Sequence, residues 1–150
     1  SVLVLAGNGS KKYLNKLKSL IRSYKLEKDV ITYFYRIPEK QLQLLLSSAD
    51  ILVYPYRNIT QSGALLAGMQ AEKAILATNV GGFPETIDHG RSGLLCDYDD
   101  VLGLKLNMET LLSDEEQRDF LARNAKKSLQ KEFSWSEIAE KTLQCYQNLI

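Results

Sequence analysis

The chain has few of the residues that mark secreted scaffolds, metal sites or membrane spans. Among its 150 residues are two cysteines, Cys96 and Cys145, and their separation fits neither a metal-binding motif nor a disulfide framework. No apolar run approaches the roughly 18 residues of a transmembrane helix, so none is expected. These scarcities favour a reduced, cytoplasmic setting.

The charge balance and the first residues of the chain narrow the class of protein further. A net charge of +1 argues against a nucleic-acid-binding protein that works by neutralising phosphates. Hydrophobic residues make up 45% of the chain, which is enough for one compact domain with a core. The opening "SVLVLAGNG" is a strand-like run rather than a signal peptide or a natural start. We therefore expect a piece of a longer protein.

Strand-like and helix-like segments alternate along the chain. Strands are predicted at Val2–Ala6, which should be buried on both faces, and at Val30–Tyr35, Asp50–Tyr54, Ala74–Thr78 and Gly93–Cys96. Helices are predicted between them, at Lys11–Lys25, at 38–49 and at Gln61–Ala71. This alternation with short connections predicts parallel strands joined by crossover helices.

Three helices are predicted after the last strand. The first covers Val101–Leu112. The second has a capping box formed by Ser113 and Glu116 and runs to about Lys131. The third has a capping box formed by Ser134 and Glu137 and runs to the C-terminus.

The residues that follow the first four strands are candidates for ligand binding, because ligands of open parallel sheets bind beyond the carboxyl ends of the strands. These segments are rich in glycine, proline and small polar residues: Gly7–Gly9, Arg36–Pro38, Pro55–Gly63 and Asn79–Glu85. The first lacks the third glycine of a dinucleotide fingerprint, and a tight turn is an equal interpretation. In Pro55–Gly63, Thr60 or Ser62 can cap the helix that follows, and the free backbone amides at that helix end can bind a phosphate group. Most serines and threonines at such a position only cap the helix and bind no ligand.

The segment "ATNVGGFPETIDHGRSG" holds four of the nine glycines and the only histidine. Gly81 and Gly82 permit positive φ and close approach to an anion or a sugar, or they form a turn shaped by Pro84. Glu85 is either a ligand contact or an acid in the first turn of a helix. His89 has no nucleophile elbow beside it, so no catalytic residue is assigned.

Three further features have plain structural interpretations. The lysine-rich first helix is a solvated face, or it is weakly attracted to an anionic membrane. Trp135 is expected in the core or as a wedge between helices. Cys96 is expected to be a small buried hydrophobe.

Taken in order, these segments resemble the C-terminal, donor-binding domain of the retaining group 1 glycosyltransferases with the GT-B fold. The resemblance covers essentially the whole chain, and it is strongest over "AILATNVGGFPETIDHGRSGLL". It implies a Rossmann-like parallel sheet flanked by helices, with C-terminal helices. It also implies that residues 1–150 form an incomplete nucleotide-sugar (donor) binding domain. An earlier strand-loop-helix unit with the family's phosphate-binding Arg and Lys, and the acceptor domain, would precede Ser1.

The resemblance implies a hexosyltransferase that moves a sugar from a UDP- or GDP-linked donor, with retention. No metal or other cofactor would be needed. The acceptor, a saccharide or a lipid-linked saccharide, would bind the missing N-terminal domain, and this chain alone would be inactive. The full-length protein would lie in the cytoplasm, with peripheral membrane association as an option. The donor-binding residues carried over are Gly7, Gly9, Arg36, Ile37, Thr60, Gln61, Ser62, Gly63, Gly81, Gly82 and Glu85.

Three positions depart from the family pattern. Ile59 and Ala67 align with the family's paired glutamates, and Tyr35 stands where glycine is common. A group of family members carries a similar "TQSG" loop. The two missing acids support one alternative, a non-catalytic nucleotide-binding or partner subunit of the same fold. A further alternative is an unrelated Rossmann-like module that binds a nucleotide without chemistry, which would explain the alternation but not the spacing around Gly81–Gly93.

Overall fold

The computed structural model describes residues 1–148. The described chain divides into two compact units, Ser1–Leu45 and the part from Leu46 onward. Helix α2 (Glu39–Ser48) spans the division. Both units are built from parallel strands and helices, as the alternating pattern predicts.

The first unit contains two strands joined by one crossover helix. Its elements are β1 (Leu3–Ala6), α1 (Lys11–Ser23) and β2 (Val30–Tyr33). The strands pair in parallel with Leu3 opposite Val30. Helix α1 begins after Ser10, whose side chain accepts a hydrogen bond from the amide of Tyr13.

The prediction that the first strand is buried on both faces is wrong. Leu3 is 44% exposed and Val4 is 41% exposed. In fact no residue of 1–45 is buried. The reason is that, among the strands of residues 1–148, β1 pairs with β2 alone, and within 1–45 two strands and one lysine-rich helix cannot cover both faces of a sheet.

The second unit is a three-stranded parallel sheet with helices. Its elements are β3 (Ile51–Tyr54), α3 (Gly63–Gln70), β4 (Ala74–Thr78), α4 (Phe83–Thr86), β5 (Leu94–Cys96), α5 (Val101–Ser113), α6 (Glu115–Glu132) and α7 (Trp135–Gln147). The strand order is β3–β4–β5. Strand β4 is central and has the predicted bounds, and all five of its residues are buried.

The core of the second unit lies on both sides of β4. Ile75 and Ala77 belong to one apolar cluster, with Tyr54, Leu65, Met69, Phe83, Ile87 and Ala125. Leu76, which points to the opposite face, belongs to a second cluster with Ala74, Leu94, Cys96, Leu111 and Leu121. Each large apolar side chain that is fully buried contributes roughly 1.5–3 kcal/mol. These clusters therefore supply most of the stabilisation, and Cys96 is buried as predicted.

The helix caps agree with one prediction and correct another. Ser134 caps α7 as expected, since its Oγ accepts from the amide of Glu137 at 3.2 Å. The cap of α6 is Asp114, whose Oδ1 accepts from the amide of Gln117 at 2.8 Å. Ser113 is the last residue of α5 and donates to carbonyls of that helix. The capping box at Ser113 is thus wrong by one residue, because a carboxylate at the cap also interacts favourably with the helix dipole.

The prediction for Trp135 is wrong as well. Trp135 is 86% exposed, and Ile138, Leu143 and Tyr146 on the same helix are exposed too. Nothing within residues 1–148 covers this face of α7. The helix ends at Gln147, so the predicted continuation to the C-terminus lies outside the described residues.

Candidate functional site

The N-terminus of α3 presents unpaired amides to open space. Ser62 is the N-cap, and its Oγ accepts from the amide of Leu65 at 3.2 Å. Within residues 1–148, the amides of Gly63 and Ala64 donate to no protein acceptor. A Cβ placed on Gly63 would meet no atom within 4 Å. Such a helix end has a positive dipole and can hold an anion, as the sequence predicts for 60–63.

Tyr54 ties the end of β3 to the first turn of α3. Its hydroxyl donates to the carbonyl of Ala64 at 2.9 Å, and it lies where a side chain on Gly68 would stand. Burial raises the pKa of Tyr54, and the nearby Tyr56 adds to the effect. The hydroxyl therefore stays a neutral donor, which fixes the helix end without adding charge to it. The sequence signal for this contact is the glycine inside α3, which marks close packing.

Thr78 fixes the loop that follows β3. It is 6% exposed, and its Oγ1 donates to the carbonyl of Tyr56 at 2.6 Å. The carbonyl of Tyr54 lies 3.4 Å from the same oxygen. A buried hydroxyl needs such partners. In the sequence, the sign of this hydrogen-bonding role is a threonine at the end of the apolar run "AILAT".

Gly81 and Gly82 allow two of the strand-end loops to pack backbone against backbone. A Cβ on Gly81 would overlap the carbonyl of Ile59, and one on Gly82 would overlap the carbonyl of Thr60. Gly81 also has φ +54°, a conformation that favours glycine. This contact inside the protein accounts for both glycines. Their contact with a sugar-diphosphate stays a prediction.

Glu85 and His89 have structural surroundings. Glu85 is exposed and lies in the first turn of α4, which is the second of its two interpretations. Its role in donor binding stays a prediction. His89 Nδ1 accepts from the amide of Leu95 at 2.9 Å, so that ring nitrogen holds strand β5 in place.

The remaining predicted residues follow the two strands of the first unit. The amide of Gly7 donates to the carbonyl of Tyr33 at 3.0 Å, and Gly7 has φ +148°. Gly9 follows in the turn before α1, and Arg36 and Ile37 follow β2. These four residues thus lie beyond the carboxyl ends of β1 and β2, where ligands of open parallel sheets bind.

Arg57 is a candidate that the sequence reasoning missed. It follows β3, and its guanidinium lies over the ring of Tyr98, which follows β5, at 5.7 Å from the ring centroid. Arg57 is the only basic residue in the three strand-end segments 55–62, 79–82 and 97–100. The same segments also contain Asp97, Asp99 and Asp100, so Arg57 is a single cation beside three carboxylates.

Two apolar residues occupy the positions that the resemblance matched to family glutamates, and that match stays a prediction. Ile59 is partly buried and packs against the core cluster that contains Tyr54. Ala67 lies within α3. Neither position offers a carboxylate. No three His, Cys, Asp or Glu side chains within residues 1–148 form a group that could hold a metal ion.

Comparison with known proteins identifies the family. The sequence profile described as "Glycosyl transferases group 1" matches residues 1–128. The chain belongs to the group 1 glycosyltransferases. Alpha-maltose-1-phosphate synthase of Mycolicibacterium smegmatis is 30% identical to it over 120 residues, which are 75% of this chain and 31% of that protein. Spore coat protein SA of Bacillus subtilis is 25% identical over 146 residues, 93% of this chain and 37% of that protein.

Solved glycosyltransferase structures share the fold. Sucrose-phosphate synthase of Thermosynechococcus elongatus superposes with a TM-score of 0.85 at 24% identity, covering 98% of this chain and 38% of that chain. Anabaena Alr3699/HepE in complex with UDP-glucose superposes with a TM-score of 0.84 at 20% identity, covering 98% and 41%. The predicted family and the Rossmann-like α/β fold are confirmed. This group 1 glycosyltransferase chain spans well under half the length of these relatives.

Proposed function

We propose that this chain is the donor-binding part of a retaining glycosyltransferase. It binds a UDP- or GDP-linked hexose, which is transferred to a saccharide or a lipid-linked saccharide. The observation that carries the proposal is the N-terminus of α3, where two unpaired amides face open space. The family membership and the similarity to a protein solved with UDP-glucose support it.

The chemistry expected of this site is stabilisation of the leaving diphosphate. The amides of Gly63 and Ala64 and the helix dipole point donors at a developing negative charge. They need no reorganisation, because the hydroxyl of Tyr54 already holds this turn. Arg57 supplies a positive charge at the same edge of the sheet. In this proposal transfer uses no metal or other cofactor.

The acceptor is assigned to a part of the protein outside these 150 residues. The chain alone is therefore expected to transfer no sugar. No helix within residues 1–148 is long and apolar enough to cross a membrane. The lysines of α1 are exposed, which suits a cytoplasmic protein that associates weakly with an anionic membrane surface.

The second candidate function is a non-catalytic nucleotide-binding or partner subunit of the same fold. Ile59 favours it, because an isoleucine packed against the core stands at a position that the resemblance matched to a family acid. The two candidates differ in turnover and not in nucleotide binding. Assays of the longer protein with UDP- and GDP-linked sugars separate them, since only the first candidate transfers or hydrolyses a donor.

The binding proposal is tested by an amide NMR titration of this chain with UDP, GDP and ADP. We expect one nucleotide to shift the amides of Gly63 and Ala64, and we expect the uncharged nucleoside to leave them unchanged. Gly63→Glu and Gly63→Gln form a matched pair, since they differ in charge and little in shape. The glutamate variant should weaken binding more. Shifts that are equal in both variants, or absent with all three nucleotides at millimolar concentration, would contradict an anion site at α3.

A further inference from the structure

The loop that leads into α3 is held by the end of β4. This loop, residues 55–62, turns at once where β3 ends, because the amide of Tyr56 donates to the carbonyl of Tyr54 at 3.0 Å and closes a three-residue turn around Pro55. The hydroxyl of Thr78 donates to the carbonyl of Tyr56 at 2.6 Å, on the same turn. This hydrogen bond therefore sets the direction in which the chain leaves the sheet.

Two further contacts follow along the loop, and both are made by the backbone of residues 79–82. The carbonyl of Ile59 occupies the space that a Cβ on Gly81 would fill, and the carbonyl of Thr60 occupies the space beside Gly82. The loop is thus held near its beginning and near its end. Of these three contacts, the one from Thr78 is made by a side chain, so a substitution can remove it without a change of backbone conformation.

The shape of threonine suits this position. Thr78 is the last residue of the buried strand β4 and is 6% exposed. A β-branched side chain has a restricted χ1, so the γ-methyl fixes the direction of the hydroxyl. If the hydroxyl were removed, the part-buried carbonyl of Tyr56 would lose its donor, and a carbonyl in such a place gains free energy by turning toward water.

We propose that Thr78 is a positioning residue for the donor, because it keeps the loop 55–62 in the arrangement in which the amides of Gly63 and Ala64 bind the diphosphate. The proposal rests on the proposed function. Since its side chain is buried, Thr78 acts through the loop and not by contact with a ligand. Without the hydroxyl, only a fraction of the molecules has the binding-competent loop, and the apparent Kd rises by the inverse of that fraction.

The test repeats the amide NMR titration with UDP, GDP and ADP on a graded series of variants. Thr78→Ser keeps the hydroxyl, Thr78→Cys has a weak donor, and Thr78→Val keeps the shape and has no donor. For the nucleotide that binds best, the Kd should stay near the wild-type value in Thr78→Ser, rise in Thr78→Cys and rise about fivefold in Thr78→Val, which corresponds to about one competent loop in five. At saturation, the amide shifts of Gly63 and Ala64 should equal those of the wild type, because the nucleotide selects the same loop.

Ser92→Ala is the matched control. Ser92 is 1% exposed, and its Oγ accepts from the amide of Asp88 at 2.9 Å, in the turn before β5. This variant loses a buried hydrogen bond outside the loop 55–62, so it should lower the free energy of unfolding and leave the Kd at the wild-type value. An equal rise of the Kd in Ser92→Ala and Thr78→Val would overturn the positioning role, because a general loss of stability would then explain both.

The wild-type titration separates failure of this inference from failure of the proposed function. Amides of Gly63 and Ala64 that shift with none of the three nucleotides overturn both. Amides that shift in the wild type, together with an unchanged Kd in Thr78→Val, overturn the positioning role alone. If Thr78→Val does not fold, the comparison of Thr78→Ser with Thr78→Cys decides, and an equal Kd in these two variants overturns the role.

Discussion

The glycines of the second unit allow backbone strain and steric crowding to be measured separately. Gly90 has φ +78°, and a Cβ there would meet nothing within 4 Å. Gly82 has ordinary φ, and a Cβ there would overlap the carbonyl of Thr60. Gly81 combines both conditions, because it has φ +54° and a Cβ there would overlap the carbonyl of Ile59. Gly90→Ala therefore measures the free-energy cost of backbone strain, Gly82→Ala measures the cost of steric crowding, and Gly81→Ala measures the sum of the two.

The expected magnitudes follow from these geometries. A left-handed conformation costs an alanine roughly 1–2 kcal/mol, which is the expected loss for Gly90→Ala. Overpacking costs about 1–3 kcal/mol, and a backbone carbonyl cannot rotate away as a side chain can, so Gly82→Ala should fall in that range. Gly81→Ala should lose roughly 2–5 kcal/mol, the sum of the two costs.

Urea unfolding followed by circular dichroism gives the three free energies of unfolding by linear extrapolation. The order expected is Gly81→Ala as the largest loss, with the other two smaller. Equal losses for Gly81→Ala and Gly90→Ala would refute the reasoning, because the loops of Ile59 and Gly81 would then not be in close contact. Unchanged m-values are required, since a changed m-value would indicate a different unfolding transition.

Other substitutions test single contacts. Tyr54→Phe should lower the free energy of unfolding by about 1 kcal/mol, because the hydrogen bond to Ala64 is lost. Because the folded state raises the pKa of Tyr54, the stability that its neutral hydroxyl contributes should be complete below pH about 10 and should decrease as the pH rises further. The phenylalanine variant should lose less stability over this range. Urea titrations at neutral and alkaline pH measure both losses. Asp114→Ala should cost about 1 kcal/mol in thermal or urea unfolding, and Ser113→Ala clearly less, whereas equal losses would contradict the cap assignment. Trp135 should show the red-shifted emission and the iodide quenching of a hydrated indole, and shielded emission in dilute solution would contradict an uncovered face of α7.

Local sequence patterns predicted the elements better than the packing around them. The bounds of β4 follow from the sequence, because its five apolar or small residues lie between the polar residues Lys73 and Asn79. Helix α3 begins at Gly63 rather than Gln61, since Ser62 supplies the cap and the cap decides where the helix begins. For β1, the same apolar pattern predicted burial that the structure lacks. Whether a strand is covered depends on its neighbours, and its own residues do not specify them.

The candidate site shows the same limit. The glycine pair at Gly81 was recognised as unusual from the sequence, but the atoms that occupy its space belong to a loop about twenty residues earlier. Tyr54 and Gly68 are complementary in shape across two elements, which is visible only in three dimensions. The sequence does not indicate the contact of Arg57, because its partner, Tyr98, follows a different strand.

The absence of any buried side chain in residues 1–45 has a consequence for local unfolding of this part of the chain. Amide protons of β1 and β2 should exchange with solvent through partial openings that cost far less free energy than those that expose β4. A nucleotide that contacts Gly7 or Arg36 would stabilise the closed form of this segment and slow that exchange. Part of its binding free energy would then go into ordering the protein, so the measured affinity would understate the strength of the contacts themselves.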